Sequence, residues 1–290
     1  MPEFAGSAPT RLRGLELHVG RRTYVMGIVN LTPDSFSGDG LLRGAAPETA
    51  ALAQAQRMVA EGADIIDIGG ESTRPGHEPV DPAAELARVV SAISTIRASL
   101  PDVPLSIDTS KPQVAEAALE AGADIINDVA AVTGCAALAT VAAAHAAPYV
   151  LMHSRARPEY GDVVAEVVAD LAAALAVAEE AGCHPASLIV DPGIGFGKTA
   201  EQNLLLLRDL GALRALGRPI LLGASRKSTI GKVLELPVSE RLEGTLATTA
   251  LGIAAGVDIV RVHDVSANVR AARMSDAIIR GGWRDQAPGR

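Results

Sequence analysis

Three stretches of the chain share one plan: Glu61-Gly62-Ala63-Asp64-Ile65-Ile66-Asp67, Ala121-Gly122-Ala123-Asp124-Ile125-Ile126-Asn127 and Ala255-Gly256-Val257-Asp258-Ile259-Val260-Arg261. In each, a glycine suited to ending a helix in the left-handed conformation leads into an apolar run. Five positions after the glycine comes a polar residue: Asp67, Asn127 or Arg261. Side chains alternate across a strand, so equal spacing turns these three toward one face. A carboxylate, an amide and a guanidinium that converge there make a polar binding site. Taken singly, each reads equally well as a satisfied polar residue at a strand edge.

Other apolar runs end in the same way, at Asp108, His153, Asp191 and the segment Gly223-Ala224-Ser225-Arg226-Lys227. Asp108, Asn127, Asp191 and Lys227 together suit a heteroaromatic ligand with several N–H groups and a carbonyl. Carboxylates accept paired N–H bonds, and an ammonium donates to a carbonyl or ring nitrogen. Met152 and Phe196 can supply flat apolar walls for such a slot. Asp108 or Asp191 can also be read as a cap for the following helix. Arg261, His263 and Asn30 form a second group, suited to a phosphate or a metal–phosphate complex. Arg matches phosphate oxygens bidentately, and Asn30 can offer a neutral oxygen to Mg2+. His263 taken alone reads as a structural histidine.

These residues need a scaffold that brings distant strand ends together. β-branched runs at 24–29, 64–68, 104–107, 124–127, 148–152, 187–190, 219–222 and 258–262 alternate with helical patterns at 46–61, 82–99, 112–121, 136–146, 163–181, 201–210, 239–255 and 266–280. This alternation implies right-handed βαβ units and a parallel sheet. Eight units predict an α/β fold, a single (β/α)8 TIM-type barrel of eight parallel strands. An open doubly wound sheet fits the same periodicity. The barrel is expected over residues 24–280. Residues 1–23 are expected to be an N-terminal extension, a small hairpin covering the barrel floor, and residues 281–290 a frayed tail.

Composition agrees with this scheme. The 290 residues are 48% hydrophobic but only 2% aromatic, which suits helices on a buried parallel sheet. The net charge of −8 speaks against a dedicated nucleic-acid binder. Cys135 and Cys183 form no CxxC pair, so neither a disulfide framework nor a structural zinc site is expected. No signal-peptide stretch opens the chain. The uncharged, alanine-rich run at 131–154 is broken by Gly134, His145 and Pro148, and reads as helix then strand rather than a membrane span. Gly193-Ile194-Gly195-Phe196-Gly197-Lys198-Thr199 misses the phosphate-loop spacing, because Pro192 stands where its first glycine belongs. It also misses the dinucleotide fingerprint, leaving a backbone turn after the sixth barrel strand as its reading.

Met26-Gly27-Ile28-Val29-Asn30-Leu31-Thr32-Pro33-Asp34-Ser35-Phe36-Ser37 and Gly69-Gly70-Glu71-Ser72-Thr73-Arg74-Pro75-Gly76 closely resemble segments of the dihydropteroate synthases. So do Ser106-Ile107-Asp108-Thr109, Ile126-Asn127-Asp128, Leu151-Met152-His153, Asp191-Pro192-Gly193-Ile194-Gly195-Phe196, Ser225-Arg226-Lys227-Ser228 and Arg261-Val262-His263-Asp264. The resemblance runs in order from about residue 24 to 280. It implies a cytoplasmic, homodimeric (β/α)8 transferase of folate synthesis and a sulfonamide target. Such an enzyme joins 4-aminobenzoate to a dihydropterin methyl diphosphate with Mg2+ assistance, with no membrane or nucleic-acid partner. The resemblance implies pterin contacts for Asp108, Asn127, Asp191 and Lys227, with Met152, Phe196 and Gly223 lining the slot. It implies Asn30 on Mg2+ and Arg261 and His263 on the diphosphate, so loss of Arg261 is expected to spare binding of a bare pterin. Phe36, Thr73, Arg74, Pro75 and Ser228 are implied to shape the aminobenzoate side, and Thr73 also to meet the diphosphate-bearing substrate. Catalysis is expected to use Asp108, Lys227, Arg261 and His263, through a dissociative pterin-cation path. One departure is the order Gly38-Asp39-Gly40, where the family commonly has Asp-Gly-Gly; it bears on loop geometry. The alternatives are a methyltetrahydrofolate-binding methyltransferase domain and a noncatalytic paralogue.

Overall fold

A computed structural model describes residues 10–12, 15–31, 46–71, 80–134 and 136–281. Eight parallel strands form one sheet: β3 (Tyr24–Asn30), β4 (Ile65–Gly69), β5 (Leu105–Asp108), β6 (Ile125–Asp128), β7 (Tyr149–Met152), β8 (Leu188–Asp191), β9 (Leu221–Leu222) and β10 (Ile259–Val262). Each strand from β3 to β7 pairs with its successor, and β10 pairs with both β3 and β9. A single parallel bridge, Val190 to Ile220, joins the β8 side to the approach to β9 and all but closes the ring. The fold is therefore the (β/α)8 barrel and not the open sheet. β9 is the shortest strand because Pro219, which has no N–H, precedes it and Gly223 follows it.

Around the sheet lie α1 (Pro47–Ala60), α2 (Pro82–Ser99), α3 (Pro112–Glu120), α4 (Ala131–Gly134), α5 (Ala136–Ala144), α6 (Val163–Glu180), α7 (Ala200–Arg208), α8 (Ser228–Leu234), α9 (Leu242–Ala255) and α10 (Val265–Ile279). Proline opens α1, α2 and α3, where its missing N–H costs nothing. The helix expected at 201–210 stops at Arg208 and continues as a 3-10 turn, Leu210–Leu216. The helix expected from 239 begins at Leu242, after a separate 3-10 turn. Helix α8 was not anticipated, because its first residue closes a stretch read as loop. The alanine-rich run becomes α4, α5 and β7, and among the described residues no helix is long and apolar enough to cross a membrane.

The strand period of two divides the core in two. Residues facing the helices join one large apolar cluster. A second, smaller cluster fills the lower barrel with Tyr24, Met26, Ile65, Ile125, Val150, Ile189, Leu221 and Ile259. Leu17 belongs to this inner cluster, 1% exposed. It comes from β2 (Leu15–Leu17), which pairs antiparallel with β1 (Thr10–Leu12). This hairpin thus places an apolar side chain beside the first residues of the strands.

The repeated segments have a second polar position with its own task. Asp64 accepts the N–H of Val25 at 2.8 Å, Asp124 that of Leu105 at 2.9 Å and Asp258 that of Ile220 at 3.0 Å. Each carboxylate clips the start of the preceding strand, or of its approach, to its own. These aspartates, assigned to strands in the sequence reading, therefore lie just before them. The preceding glycines take φ of +101°, +113° and +101°, the left-handed helix end that the repeat predicted. Arg97 reinforces one clip, with Nη2 2.6 Å from Asp124. Asp124→Ala removes the acceptor from both the Leu105 N–H and Arg97. A loss of about 3 kcal/mol in urea unfolding, with an unchanged m-value, is the expected outcome. A loss below about 1 kcal/mol rules out the clip as a stabilising device.

Candidate active site

Two residues beyond six of the apolar positions of the inner cluster, the same strand face reaches the barrel mouth. Ile65 leads to Asp67, Ile125 to Asn127, Val150 to Met152, Ile189 to Asp191, Leu221 to Gly223 and Ile259 to Arg261. The alternation that fills the barrel floor therefore lines its mouth, at the carboxyl ends of the strands where (β/α)8 enzymes work.

The three register-equivalent residues of the repeat do meet. Arg261 Nε donates to Asp67 Oδ2 at 2.6 Å, and Asn127 Nδ2 donates to the same oxygen at 3.3 Å. Arg261 Nη2 donates to Asp108 Oδ2 at 2.5 Å. One guanidinium is thus shared by two buried carboxylates. Burial alone would weaken the hold of Arg261 on its proton, but Asp67 and Asp108 outweigh it and keep the group charged. Burial pushes Asp108 up to about 7; Arg261 and Lys227 pull the other way, and Asp67 adds to the rise. Asp191 is also raised by burial, against the Gly193 N–H that it accepts at 2.7 Å. Asp191 therefore caps the turn that follows it, whereas Asp108 is held by Arg261 instead.

Asn127, Met152, Asp191, Phe196, Gly223, Lys227 and Arg261 line one cavity together with Val129, Gly193 and Ile194. Asp108 lines the adjoining cleft, and Phe196 and Val129 border both. Lys227 Nζ lies 4.0 Å from the centre of the Phe196 ring, a cation–π contact. Among the described residues, Asp67 Oδ1, Asp108 Oδ1 and Ser106 Oγ are buried without a hydrogen-bond partner. Leaving such groups unsatisfied costs about 1–3 kcal/mol each; of the three, only Asp108 lines a cleft, where its free oxygen can accept from a ligand N–H.

His263 stands two residues beyond Arg261, its Nδ1 3.0 Å from Ser225 Oγ, which also accepts the His263 backbone N–H at 3.2 Å. Arg226 ties the same two loops through Asp264, at 2.9 and 2.5 Å. Asn30 ends β3 in register with Gly69, which in turn is opposite Asp108. Ser228 is exposed at the first position of α8 and lines neither cleft. Phe36, Thr73, Arg74, Pro75 and the segment Gly38-Asp39-Gly40 lie outside the described residues. The geometry gives Arg261 a second task beside the phosphate role expected for it, as the partner of Asp67 and Asp108. Removing it leaves two buried carboxylates facing one another at the slot.

Beside Asp108 lies a network that the sequence reading missed. Lys111 Nζ is paired with Glu71, at 2.5 Å, and with the fully buried Glu85; Thr109 Oγ1 donates to Glu85 at 2.8 Å. Glu85 sits on α2 at a position facing the core, and only a tertiary contact explains a charge there. The signal available was Lys111 itself, three residues past Asp108.

An acidic and amide-lined slot with an aromatic wall thus stands at the mouth of a (β/α)8 barrel, suited to a flat N–H-rich ligand. The family model described as pterin binding enzyme matches residues 26–263. A dihydropteroate synthase of Clostridium beijerinckii is 49% identical over 266 residues, covering 91% of this chain and 97% of that protein. The solved dihydropteroate synthase of Clostridium difficile, crystallised in the presence of pteroic acid, is 48% identical with a TM-score of 0.86 and covers 91% of this chain and 99% of its own. That of Xanthomonas albilineans, solved with 4-aminobenzoic acid, is 41% identical with a TM-score of 0.87, covering 97% and 100%. The chain belongs to the dihydropteroate synthases, the transferases of folate biosynthesis.

The raised Asp108 fixes the direction of a pH effect. Below about pH 7 it takes up a proton and loses acceptor capacity toward ligand N–H groups. Affinity for pteroic acid is expected to fall from about pH 7.5 to about pH 5.5, more shallowly in Asp108→Asn. Calorimetric titration across that range measures it, and affinity that rises on acidification contradicts the assignment.

Proposed function

We propose that the chain condenses 6-hydroxymethyl-7,8-dihydropterin diphosphate with 4-aminobenzoate, giving 7,8-dihydropteroate and pyrophosphate. The observation that carries this reading is the gathering of Asn127, Met152, Asp191, Phe196, Lys227 and Arg261 in one cavity, with Asp108 against Arg261. Support comes from the relatives solved with pteroic acid and with 4-aminobenzoic acid, which correspond to the product side and the arylamine side of this reaction.

In this reading the pterin lies on Phe196 and Met152 and presents its N–H edge to Asp191 and Asn127. Lys227 donates to its carbonyl or ring nitrogen. Arg261 and His263, successive inward positions on and just after β10, attract the diphosphate. The bond from the exocyclic CH2 to the diphosphate oxygen breaks with its electron pair leaving on pyrophosphate. The arylamine nitrogen, neutral at pH 7, supplies the pair for the new C–N bond and then releases a proton. We place bond breaking ahead of bond making, because the electron-rich ring can delocalise positive charge and Asp108 is positioned to stabilise it. Catalysis then rests on positioning and on a preorganised field, with no covalent intermediate. Lys227 also orients the incoming arylamine. Sulfonamides, as aminobenzoate mimics, would compete on the side assigned to Phe36, Thr73, Arg74, Pro75 and Ser228.

The residues present fit Mg2+ as a shared ion. Asn30 offers one neutral oxygen at the end of β3, and among the described residues no cluster of three His, Cys, Asp or Glu forms a cage. One amide oxygen suits an ion that takes its remaining oxygens from phosphate and water. Bound there, Mg2+ supplies positive charge to the leaving diphosphate.

Pyrophosphate release that requires 4-aminobenzoate is the expected result in the purified protein; release independent of the arylamine rejects the reading. Asp108→Asn is expected to lower kcat by about a hundredfold while weakening pteroic acid by less than about tenfold. Near-normal turnover in the folded variant removes the cation-stabilising role. We also propose a homodimer in the cytoplasm. Helices α9 and α10 pack together and expose Leu251, Met274 and Ile278 at 69%, 63% and 68%, large apolar side chains that self-association would cover. Sedimentation should show a dimer that Ile278→Glu weakens, and a monomeric wild type contradicts it.

A further inference from the structure

The turn after β8, Gly193 to Thr199, has a lysine in its interior that no role above uses. A Cβ at Gly193 would stand 1.8 Å from the His153 carbonyl oxygen, and one at Gly197 1.9 Å from that of Arg155. The turn therefore lies backbone to backbone on the segment that follows β7, a contact only glycine allows. Lys198 Nζ sits at this junction. It donates to Gly193 O and Phe196 O, each at 3.0 Å, and to His153 Nδ1 at 2.9 Å, with His153 O at 3.5 Å.

His153 is fully buried, and its Nε2 stands 3.0 Å from Asp170 Oδ2, which Arg155 Nε also holds at 2.9 Å. A carboxylate only accepts, so the network assigns the proton to Nε2 and leaves Nδ1 as the acceptor for Lys198. The three shorter contacts, to Gly193 O, Phe196 O and His153 Nδ1, match the three N–H groups of an ammonium, and that match needs a charged lysine and a neutral histidine. Burial, with Lys198 adding to it, holds His153 down at about 4, so it is neutral. Burial also lowers Lys198, to about 7, while Asp191 opposes that shift.

We infer that Lys198 is a positioning residue for the pterin slot, fixing through the Gly193 and Phe196 carbonyls the turn that holds the Phe196 ring in place. The inference rests on the reading of that slot as the pterin site. The far side of the turn has separate anchors: Gly195 N–H donates to Asn203 Oδ1 at 2.8 Å, and Thr199 and Gln202 form the capping box of α7. Loss of Lys198 thus loosens the ring that walls the slot and leaves α7 intact.

The test is steady-state kinetics of the full chain. Lys198→Met keeps the length of the side chain and removes its donors. KM for the pterin diphosphate is expected to rise about tenfold, with kcat and KM for 4-aminobenzoate within about threefold of wild type. Phe196→Ala is expected to raise the same KM, and Lys198→Met added to it to cost less than about twofold more, because both act on one ring. An unchanged KM, a kcat loss as large as the KM gain, or independent effects in the double variant each overturn the inference. Should Lys198→Met not fold by circular dichroism, Lys198→Gln takes its place in the cycle under the same criteria. A wild type without arylamine-dependent pyrophosphate release removes the pterin reading and this inference with it. An active wild type with an unaffected Lys198 variant removes the inference alone.

Discussion

One guanidinium held between two carboxylates inside the barrel is the constraint on which the site depends. Asp67, Arg261 and Asp108 come from β4, β10 and β5, and their side chains are almost wholly removed from solvent. A buried charge without a partner costs several kcal/mol, so none of the three can be removed without stranding another. With both acids ionised the group carries one excess negative charge. Burial relieves this by lifting Asp108 to about 7, into the range where ligand binding can decide its protonation. The site thus sets an acceptor raised by burial beside a cation that stays charged.

Such a cluster needs a rigid frame, and the repeated segments supply one with two polar positions. The earlier aspartate lies just before its strand and clips the neighbouring strand or its approach; the later residue, three positions on, faces into the barrel. An odd separation puts them on opposite sides of the strand. Fixing the floor therefore fixes the mouth, because short strands of about four residues transmit register directly. Leu17 and the aromatic ring of Tyr24 are buried in the inner apolar cluster at the floor end of the strands.

Much of this was legible in the sequence because it follows from period and polarity. The alternation of units gave the barrel, and the shared spacing of Asp67, Asn127 and Arg261 predicted a convergence that the hydrogen bonds bear out. Strand limits were less legible. Each aspartate at a strand start is a clip, while polar residues at strand ends, such as Asn30 and Asp191, remain in the ladder because their side chains turn inward. Lys111 was visible near Asp108, but its pairing with Glu71 and Glu85 and the seating of Lys198 were not legible. Both join residues whose proximity depends on how loops from different units stack, and a helix position such as Glu85 looks solvent-exposed until its partner is known. Arg261 shows the same limit: its type suggested phosphate, whereas two of its donors are committed to carboxylates.

The unsatisfied oxygens explain why so polar a pocket can coexist with a stable fold. Asp67 Oδ1, Asp108 Oδ1 and Ser106 Oγ lie above an apolar floor, and their cost is carried by a core extending around the whole barrel. Satisfying them within the chain would stabilise the protein and blunt the site, since each bond made internally is one that a ligand can no longer make. Asp108 lines the cleft, so the bond its free oxygen withholds is one that a flat N–H-rich ring can complete. Affinity and orientation therefore arise together, from donors and acceptors already fixed in place before the ring arrives.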